Sequence, residues 1–567
     1  MNDYKDQPEE KSPAHSLATL LDAPITRRKM MAAAAAALFM PSLYARAAGR
    51  PPKGTPPKGQ IIVGFSQEPT VFNPLMANYY EADQGVGFAL FSPLWRVEPD
   101  GSFTPDLATE VPSQENGGIS SDGLQWKIKL RKGVKWHDGT EFTAEDVKFT
   151  LDLINNPKFR ARTRQGHSLV QDITINNPYE ISWKMTKAYS PYLSLLTWTF
   201  IVPKHILNTA ADPNTAPFNS APVGTGPFKW SKRTAGAGVT VVANTDYHGD
   251  GPYVERVVFN YVPDSNLLFT QFKTGSIDYA GYYGLPAQNF QEAKALPDRV
   301  VAGVANAQIE GIVFNFGKPY FQDKAVRQAL YSAMNKDAIV RLVYYGIPSA
   351  TESFLPRTSW AFNPNLPKQV YDIAAANKLL DQAGWVRGSD GIRTKNGVRL
   401  AFVTATVSGN PQRVQILQVI QQDWQKIGVA MTIQTMPAAV VYGDYYTKSQ
   451  FDSLLAASTY GSGADPDPTA RFSSVSIPVQ GGNGINYYQY KNLEVDKLLQ
   501  TAQASFNKAE RKDAYVRIQS LIREDLAFFP IDQQSQIEGT KAKLVGFHAN
   551  ANVSANTWNI GSWYWEA

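Results

Sequence analysis

Residues 124–154 read LQWKIKLRKGVKWHDGTEFTAEDVKFTLDLI. Residues 124–130 alternate apolar and polar side chains, which predicts a half-buried strand. Residues 137–139, His-Asp-Gly, have the chemistry of a tight turn. Thr143 and Asp146 fit a helix capping box, in which each side chain bonds the other residue's backbone. The apolar residues that follow lie at helical spacing: Val147, Leu151 and Ile154. The segment therefore predicts a strand, a turn and an amphipathic helix in succession.

The rest of the chain changes character near residue 311. Up to and including residues 311–316, short apolar or alternating runs predict strands. These lie at 60–66, 239–244, 255–262 and 311–316, with helices at 80–90 and 265–274. After residue 316, helical periodicity dominates, at 324–345, 373–383, 411–427, 493–504 and 508–524. A strand at 429–435 directly follows a helix that ends at Gly428. Such alternation of helix and strand indicates an α/β fold.

Composition excludes several classes of protein. The chain has 567 residues, which is too many for one ordinary domain. A net charge of +5 without any long basic block argues against a nucleic-acid partner. Without cysteine there can be no disulfide, thiolate metal site or lipid-modified N-terminal cysteine. The histidines lack metal-binding spacing, and HExxH and GxSxG are absent. We therefore expect no metal, no cofactor and no enzymatic activity.

The N-terminus has the features of an export signal. Residues 25–48 read ITRRKMMAAAAAALFMPSLYARAA, with paired arginines at 27 and 28 and a small-x-small cleavage pattern at 45–47. The apolar run at 30–40 is far shorter than the roughly 20 residues that span a bilayer. We predict a twin-arginine signal peptide at 1–47 and a Pro/Gly linker at 48–59. An ordinary helix beginning at Thr26 is the alternative.

Segments spread along the chain resemble the family 5 extracytoplasmic solute-binding proteins, which include the dipeptide-, oligopeptide- and nickel-binding proteins of ABC importers. The match rests on the segment quoted first together with six others in the family's order: PDGSFTPDLATEVP (99–112), PVGTGPFKW (222–230), VRQALYSAMNKDAIVRLVYYGIPSA (326–350), YDIAAANKLLDQAGW (371–385), IQQDWQKIGVAMTIQ (420–434) and ERKDAYVRIQSLIREDLAFFPI (510–531).

The resemblance implies a two-lobed periplasmic-binding-protein fold, type II-like and of cluster C, with an extra inserted domain. Lobe I would comprise residues 60–92, 201–305 and 533–567. The inserted domain II would cover 93–200, and lobe III 306–532. Two strand crossings would join the lobes, which would close on a ligand by hinge bending.

The same resemblance implies a function. We expect a soluble, monomeric periplasmic protein without a lipid anchor, which captures a peptide, opine, oligosaccharide or similar small ligand for an ABC permease. Two alternatives stay open. One is a secreted hydrolase that uses paired carboxylates such as Asp465 and Asp467. The other is a peptide-holding chaperone or chemosensory binding protein on the same fold.

Residues 458–471, STYGSGADPDPTAR, are the best candidate for ligand contact. In peptide-binding members of the family, an aspartate in this stretch pairs with the ligand's free amino group, and here Ser462 stands at its place. A neutral serine cannot neutralise a buried ammonium, which favours a neutral or amino-blocked ligand. Asp465 could instead take that role after a small register shift, and a polar loop without a ligand is equally compatible. Gly461 and Gly463 flank the serine.

Other candidates are weaker one by one. Arg413 could clamp a ligand carboxylate or be a solvated residue of a helix's first turn. Four aromatic residues could stack on a ligand or simply pack: Tyr79, Tyr80, Trp198 and Tyr460. His137 beside Asp138 could act in acid–base chemistry, but the turn and the capping box explain it fully. The loop at 223–228, VGTGPF, lacks a phosphate loop's GK[ST] ending, so a structural role is favoured.

Overall fold

The computed structural model describes residues 50–566, apart from positions 78, 80, 282, 283, 462 and 463. The predicted signal peptide therefore lies outside the described residues. Three of the predicted site residues also lie outside them: Tyr80, Ser462 and Gly463. Within the described part of the chain, no helix is both long enough and apolar enough to cross a membrane.

The strands of the described residues are numbered in chain order: β1 (Gln60–Phe65), β2 (Trp95–Val97), β3 (Phe103–Pro105), β4 (Gln125–Lys129), β5 (Val170–Asn177), β6 (Glu180–Met185), β7 (Phe228–Thr234), β8 (Gly238–Ala243), β9 (Arg256–Tyr261), β10 (Tyr279–Ala280), β11 (Arg299–Phe314), β12 (Ser349–Ala350), β13 (Val386–Arg387), β14 (Arg393–Lys395), β15 (Val398–Arg399), β16 (Ala401–Val407), β17 (Ala430–Met436), β18 (Ser453–Ser458), β19 (Phe528–Lys541), β20 (Leu544–Val545) and β21 (Tyr564–Trp565).

The α-helices follow in the same way: α1 (Glu81–Leu90), α2 (Ala144–Asn155), α3 (Tyr192–Leu195), α4 (Lys204–Leu207), α5 (Ser265–Thr274), α6 (Phe290–Lys294), α7 (Pro319–Gln322), α8 (Lys324–Ser332), α9 (Lys336–Leu342), α10 (Ile373–Gln382), α11 (Pro411–Lys426), α12 (Ala438–Val440), α13 (Thr469–Phe472), α14 (Leu493–Ala504) and α15 (Lys508–Asp525).

One mixed sheet runs through most of the described chain, in the order β17-β16-β18-β11-β19-β10-β1-β9-β8-β7, with β12 paired to β19. Its two halves meet at β11 and β19, which pair antiparallel from Arg299 opposite Lys541 to Val313 opposite Phe528. Their register shifts between Ala305 and Ile309. Such irregularities bend a strand and release its residues from the ladder. The two long strands therefore connect the halves through a bent, partly unpaired segment.

The half that contains β16, β17 and β18 is buried on both faces. Successive residues of β11, Ile312 and Val313, belong to two different apolar clusters, and so do Leu455 and Leu454 of β18. Because side chains alternate across a strand, each cluster covers one face of the sheet. Helices α8 to α11 pack on one face and α14 and α15 on the other. This is the α/β layering expected after residue 311.

The segment quoted first folds as predicted. β4 pairs with β6, and Trp126 lies directly opposite Trp183 in that ladder. Thr143 caps α2, and its side chain and that of Asp146 make both bonds of the capping box. Both tryptophans belong to a compact apolar cluster formed by residues between 94 and 201. The domain boundaries given above stay a prediction.

The prediction of one continuous helix at 324–345 is wrong. The chain forms α8 and α9 instead, because the side chain of Asn335 accepts a hydrogen bond from the Ala338 backbone and caps a new helix. Asparagine competes with the helical backbone in this way and favours helix starts over helix interiors.

Candidate functional site

A cavity of about 420 Å³ lies where the bent segment of β11 meets the other elements, and we call it the cleft cavity. Its described lining residues come from five parts of the chain: Pro74 and Leu75; Ile154, Arg162, Thr163, Gln165 and His167; Leu195, Trp198 and Thr199; Asn306, Ala307, Gln308, Thr459, Gly461 and Gln536; and Ala551, Asn552, Val553 and Ser554. Pockets of this size and enclosure hold small ligands.

The register shift in β11 explains why the cavity is there. Residues 306–308 fall inside the gap in the β11–β19 ladder. Asn306 folds back locally, since its side-chain oxygen accepts a hydrogen bond from the Gln308 backbone at 2.8 Å. Gln533 of β19 donates to the Asn306 carbonyl at 2.9 Å. The cavity wall is therefore built from the strands that connect the two halves of the sheet.

Arg162 is the one permanently charged residue among the described lining residues of the cleft cavity. Its guanidinium carbon lies 5.7 Å from the centre of the Trp198 ring, a cation–π distance. No aspartate or glutamate lines the cavity within the described chain. In the amide orientation that satisfies both of its polar atoms, the side-chain oxygen of Gln84 accepts hydrogen bonds from Arg162 Nη2 at 2.6 Å and Nη1 at 2.8 Å.

His167 is a neutral part of the wall. Its Nδ1 lies 3.1 Å from the Tyr192 hydroxyl, and its Nε2 lies 3.3 Å from Thr199 Oγ1. Burial lowers the pKa of His167 to about 4, because the charged ring would lose its hydration. The ring therefore contributes hydrogen bonding and no charge at neutral pH.

Two of the predicted residues line the cleft cavity, Trp198 and Gly461. The indole N–H of Trp198 is buried, and no described residue accepts a hydrogen bond from it. Tyr460 points the other way into the apolar core, where it stacks on Phe472 with ring centres 5.6 Å apart. Adjacent residues of an extended chain face opposite sides, so Gly461 faces the cavity when Tyr460 faces the core.

Tyr79 packs against helix α1 and does not line the cleft cavity. A Cβ added at Gly87 would lie 1.7 Å from the Tyr79 hydroxyl, so the ring needs a glycine there. That hydroxyl is buried without a hydrogen-bond partner among the described residues. Burial, reinforced by Asp83, raises the pKa of Tyr79. These contacts describe a packing residue.

Asp465 is held by the protein itself. Arg511 Nη2 lies 2.8 Å from its Oδ1 and 2.6 Å from its Oδ2, and the pair is almost fully buried. Asp467 accepts hydrogen bonds from Gln503 and Thr469. A buried charge needs a partner, and Arg511 already serves Asp465 in that role.

Arg413 clamps a carboxylate bidentately, but the carboxylate is the protein's own. Its Nε and Nη2 lie 2.9 Å and 3.2 Å from the oxygens of Glu310, which is fully buried in β11. Gln534 of β19 donates to the same glutamate at 2.7 Å. Arg413 therefore ties helix α11 to the crossing strands and is not the solvated residue offered as the alternative.

His137 has a structural role. Gly224 N–H donates to its Nδ1 at 3.0 Å, and its Nε2 lies 3.1 Å from the Gly226 carbonyl. Burial lowers the pKa of His137 to about 4, so it is neutral. A Cβ at Gly224 would lie 1.8 Å from the Leu90 carbonyl, which explains the glycine-rich loop. The loop and the histidine thus fix the end of α1 to the turn.

Several lining residues escaped the sequence reasoning, among them Arg162, His167, Asn306 and Gln536. Arg162 stands in the basic stretch RARTRQGH, which looks like ordinary solvated surface. The others lie in strands or turns with no binding motif. The quoted family resemblance contained no signal for any of them.

Comparison with known proteins identifies the family. Residues 102–478 match the profile of the bacterial extracellular solute-binding proteins, family 5 Middle. The chain is 29% identical over 533 residues to the oligopeptide-binding protein AppA of Bacillus subtilis (strain 168), covering 92% of this chain and 93% of AppA. It is 25% identical over 457 residues to the dipeptide-binding protein of Escherichia coli (strain K12), covering 76% and 82% of the two chains.

Solved structures agree. The structure of B. subtilis AppA in complex with a nonapeptide matches with a TM-score of 0.73 and 27% identity, over 90% of this chain and 100% of that one. NikZ from Campylobacter jejuni in complex with Ni(L-His) matches with a TM-score of 0.74 and 29% identity, over the same shares. The predicted α/β, two-lobed binding-protein fold is confirmed, and the chain belongs to family 5 of the bacterial extracellular solute-binding proteins.

Proposed function

We propose that this solute-binding protein captures a small carboxylate-bearing solute, of dipeptide size and without a free amino group, and delivers it to an ABC permease. The cleft cavity at the crossing strands carries the proposal, because its described wall presents the guanidinium of Arg162 beside the Trp198 ring and the side-chain amides of Asn306, Gln308 and Gln536. Acylated peptides have this chemistry, whereas opines keep a protonated secondary amine. The relatives named for oligopeptide and dipeptide binding support a peptide-like ligand.

Arg162 is the proposed anchor for the ligand carboxylate. A guanidinium presents paired N–H donors that match the two oxygens of a carboxylate. Trp198 holds the guanidinium from its ring face. The amides of Asn306, Gln308 and Gln536 then surround the rest of the ligand with uncharged donors and acceptors.

A free ammonium group has no matching partner in the described wall. Asp465, the alternative anchor considered from the sequence, is already paired with Arg511. An uncompensated buried charge costs several kcal/mol of binding free energy, or about 100-fold or more in affinity. Neutral saccharides lack the carboxylate that Arg162 would hold, so we rank them below carboxylates.

Delivery by lobe closure fits the connection between the halves of the sheet. Two strands, bent at residues 305–309, are the natural place for a hinge. Export through a twin-arginine signal, a periplasmic location without a lipid anchor and a monomeric state stay part of the proposal. The hydrolase alternative gains no support, since Asp465 and Asp467 are occupied by other side chains.

Isothermal titration and thermal-shift assays test the proposal with acetyl-Ala-Ala, free Ala-Ala, Ala-Ala-amide, octopine and maltose. We expect acetyl-Ala-Ala to bind and to raise the Tm, and Ala-Ala-amide to do neither, while octopine, with its protonated amine and guanidinium, should bind more weakly than acetyl-Ala-Ala. Arg162→Gln should weaken binding about 10- to 100-fold, because a charge-assisted bond is lost. Arg160→Gln, at an exposed arginine nearby, is the matched control. Tightest binding by Ala-Ala-amide would overturn the proposal.

A further inference from the structure

A second cavity, of about 300 Å³, lies beside the cleft cavity. Trp198 and Val553 form part of the wall of both cavities. Six aromatic side chains line the second one, and we call it the aromatic chamber: Phe88, Phe91, Trp198, Phe200, Tyr247 and Trp558. The cleft cavity contains one of these rings, so the two neighbouring spaces differ sharply in chemistry.

Three of the aromatic rings contact one another. The ring of Phe200 lies 5.7 Å from that of Phe88 and 6.2 Å from that of Phe91, centre to centre. Phe88 and Phe91 come from the end of α1 and the residue after it, and Trp558 comes from the C-terminal region. Phe200 meets Phe88 edge to face and Phe91 at a tilt of 43°, and such clustered rings offer an apolar surface that favours another ring.

The arginines of the chamber do not ask for a charged ligand. Arg96 Nε lies 3.4 Å from Asp106 Oδ2, and Arg50 Nη1 lies 3.5 Å from Asp250 Oδ2. Asp106 is also 2.6 Å from the Nε2 of His248. Glu98, which also lines the chamber, interacts electrostatically with Arg96. Because these charges already have partners within the protein, an uncharged apolar group is the best occupant.

The size of the chamber argues for an occupant. Protein interiors are close-packed, and voids much larger than a water molecule are few. A space of about 300 Å³ walled by rings belongs instead to the class of ligand pockets. Trp198 lines both spaces, and the guanidinium of Arg162 lies 5.7 Å from the centre of its ring, so the chamber adjoins the proposed carboxylate anchor.

We propose that the aromatic chamber is a specificity subsite, which takes an aromatic or bulky apolar group of the same solute whose carboxylate is held at Arg162. The proposal rests on the proposed function for the position of the carboxylate. It narrows the solute class to amino-blocked carboxylates that carry an aromatic side chain, such as acylated peptides that contain phenylalanine.

The test compares dissociation constants for acetyl-Ala-Ala, acetyl-Phe-Ala and acetyl-Ala-Phe by isothermal titration. Burial of a phenyl ring should make one aromatic probe bind about 10- to 100-fold more tightly than acetyl-Ala-Ala. Val97 lines the chamber and not the cleft cavity, so the larger side chain of Val97→Phe should fill the chamber. The dissociation constant of the tighter aromatic probe should then approach that of acetyl-Ala-Ala. Val242→Phe, at an exposed position on β8, is the matched control and should keep the wild-type ratio.

Phe88→Ala enlarges the chamber and provides a second, independent test in case Val97→Phe does not fold. Enlarging the chamber should shift the preference from the phenylalanine probe to its naphthylalanine analogue. If all acetylated probes bind within twofold of each other, the chamber is not a subsite, although the proposed function stands. If none of them binds, both proposals fail. If Val97→Phe keeps the wild-type ratio of the dissociation constants for acetyl-Ala-Ala and the aromatic probe, the proposal of a chamber subsite is also overturned.

Discussion

Glu538 on β19 provides the sharpest test of the energetics of the crossing strands. Its side chain is 2% exposed. One carboxylate oxygen accepts a hydrogen bond from the Tyr279 hydroxyl at 2.8 Å, and the other accepts from Asn556 Nδ2 at 2.9 Å. Burial outweighs these bonds and raises the pKa of Glu538 from 4.5 to about 7. The folded protein therefore favours the protonated acid.

The sign and the size of the effect follow from linkage. Between pH 4.5 and about 7 the folded state holds a proton that the unfolded state has lost, so stability falls as pH rises. Each pH unit in that window costs about 1.4 kcal/mol. The window from 4.5 to about 7 therefore removes about 3 kcal/mol of unfolding free energy, with no further loss above it.

Glu538→Gln mimics the protonated acid at every pH. The amide oxygen can accept from Asn556, and the amide N–H can donate to the Tyr279 hydroxyl. We expect the variant to match the wild type at pH 4.5 and to be more stable by about 3 kcal/mol at pH 8. With an unfolding entropy of about 2.1 cal/mol/K per residue, that is a Tm difference of about 3 °C.

Thermal unfolding of both proteins at pH 4.5, 5.5, 6.5 and 8 measures this difference directly. Glu115→Gln is the control, because Glu115 is exposed and its pKa is lowered, not raised. The Tm of Glu115→Gln should therefore not rise relative to the wild type as the pH is raised. A Tm difference for Glu538→Gln that stays flat across the series, or that turns against the variant at pH 8, would refute the reasoning.

Three further predictions follow from buried polar contacts. Asp465→Asn should destabilise the protein by about 3–5 kcal/mol, because Arg511 loses its charged partner. The Kd for acetyl-Ala-Ala should stay unchanged. A large loss of affinity with an unchanged Tm would instead make Asp465 a ligand anchor. Tyr79→Phe should leave the Tm unchanged or raise it, since the hydroxyl has no partner among the described residues, and Gly87→Ala should lower it by an amount that Tyr79→Phe partly restores. Asp532→Asn should stabilise the protein increasingly as pH rises, because burial beside Glu310 raises the pKa of Asp532, and equal stability of the two proteins at pH 5 and 8 would contradict this.

Local chemistry predicted the local elements well. The capping box at Thr143 marked the start of α2 and Gly275 marked the end of α5, because each residue satisfies backbone groups within its own turn. The same kind of signal explains the error at 324–345. Asn335 is a capping residue, and the apolar periodicity on either side of it hid the break.

Of the two crossing strands, the sequence pattern predicted only the C-terminal end of β11, at 311–316, and it did not predict β19. β19 reads FFPIDQQSQIEGTK, which contains a proline and buried polar residues and does not alternate. Pro530 is tolerated because it stands at a register irregularity, opposite Gly311. Asp532, Gln533 and Glu538 are buried because β11 and other distant segments cover them. Sequence periodicity reports the environment of one face and is silent on such long-range pairing.

The cleft cavity depends on that same pairing. Arg162 and Gln536 lie more than 370 residues apart in the sequence, and they meet because β19 carries Gln536 to the cavity while the Arg162 backbone N–H donates to the Leu75 carbonyl at 2.7 Å. Neighbouring residues predicted from the family resemblance face opposite sides of the extended chain. Gly461 lines the cavity, whereas Tyr460 beside it is buried in the core. A binding site built from strand crossings inherits its charge from residues that no local motif marks. The proposed ligand class therefore rests on side chains from separate parts of the fold: Arg162 from the segment after α2, and the amides of Asn306, Gln308 and Gln536 from the crossing strands.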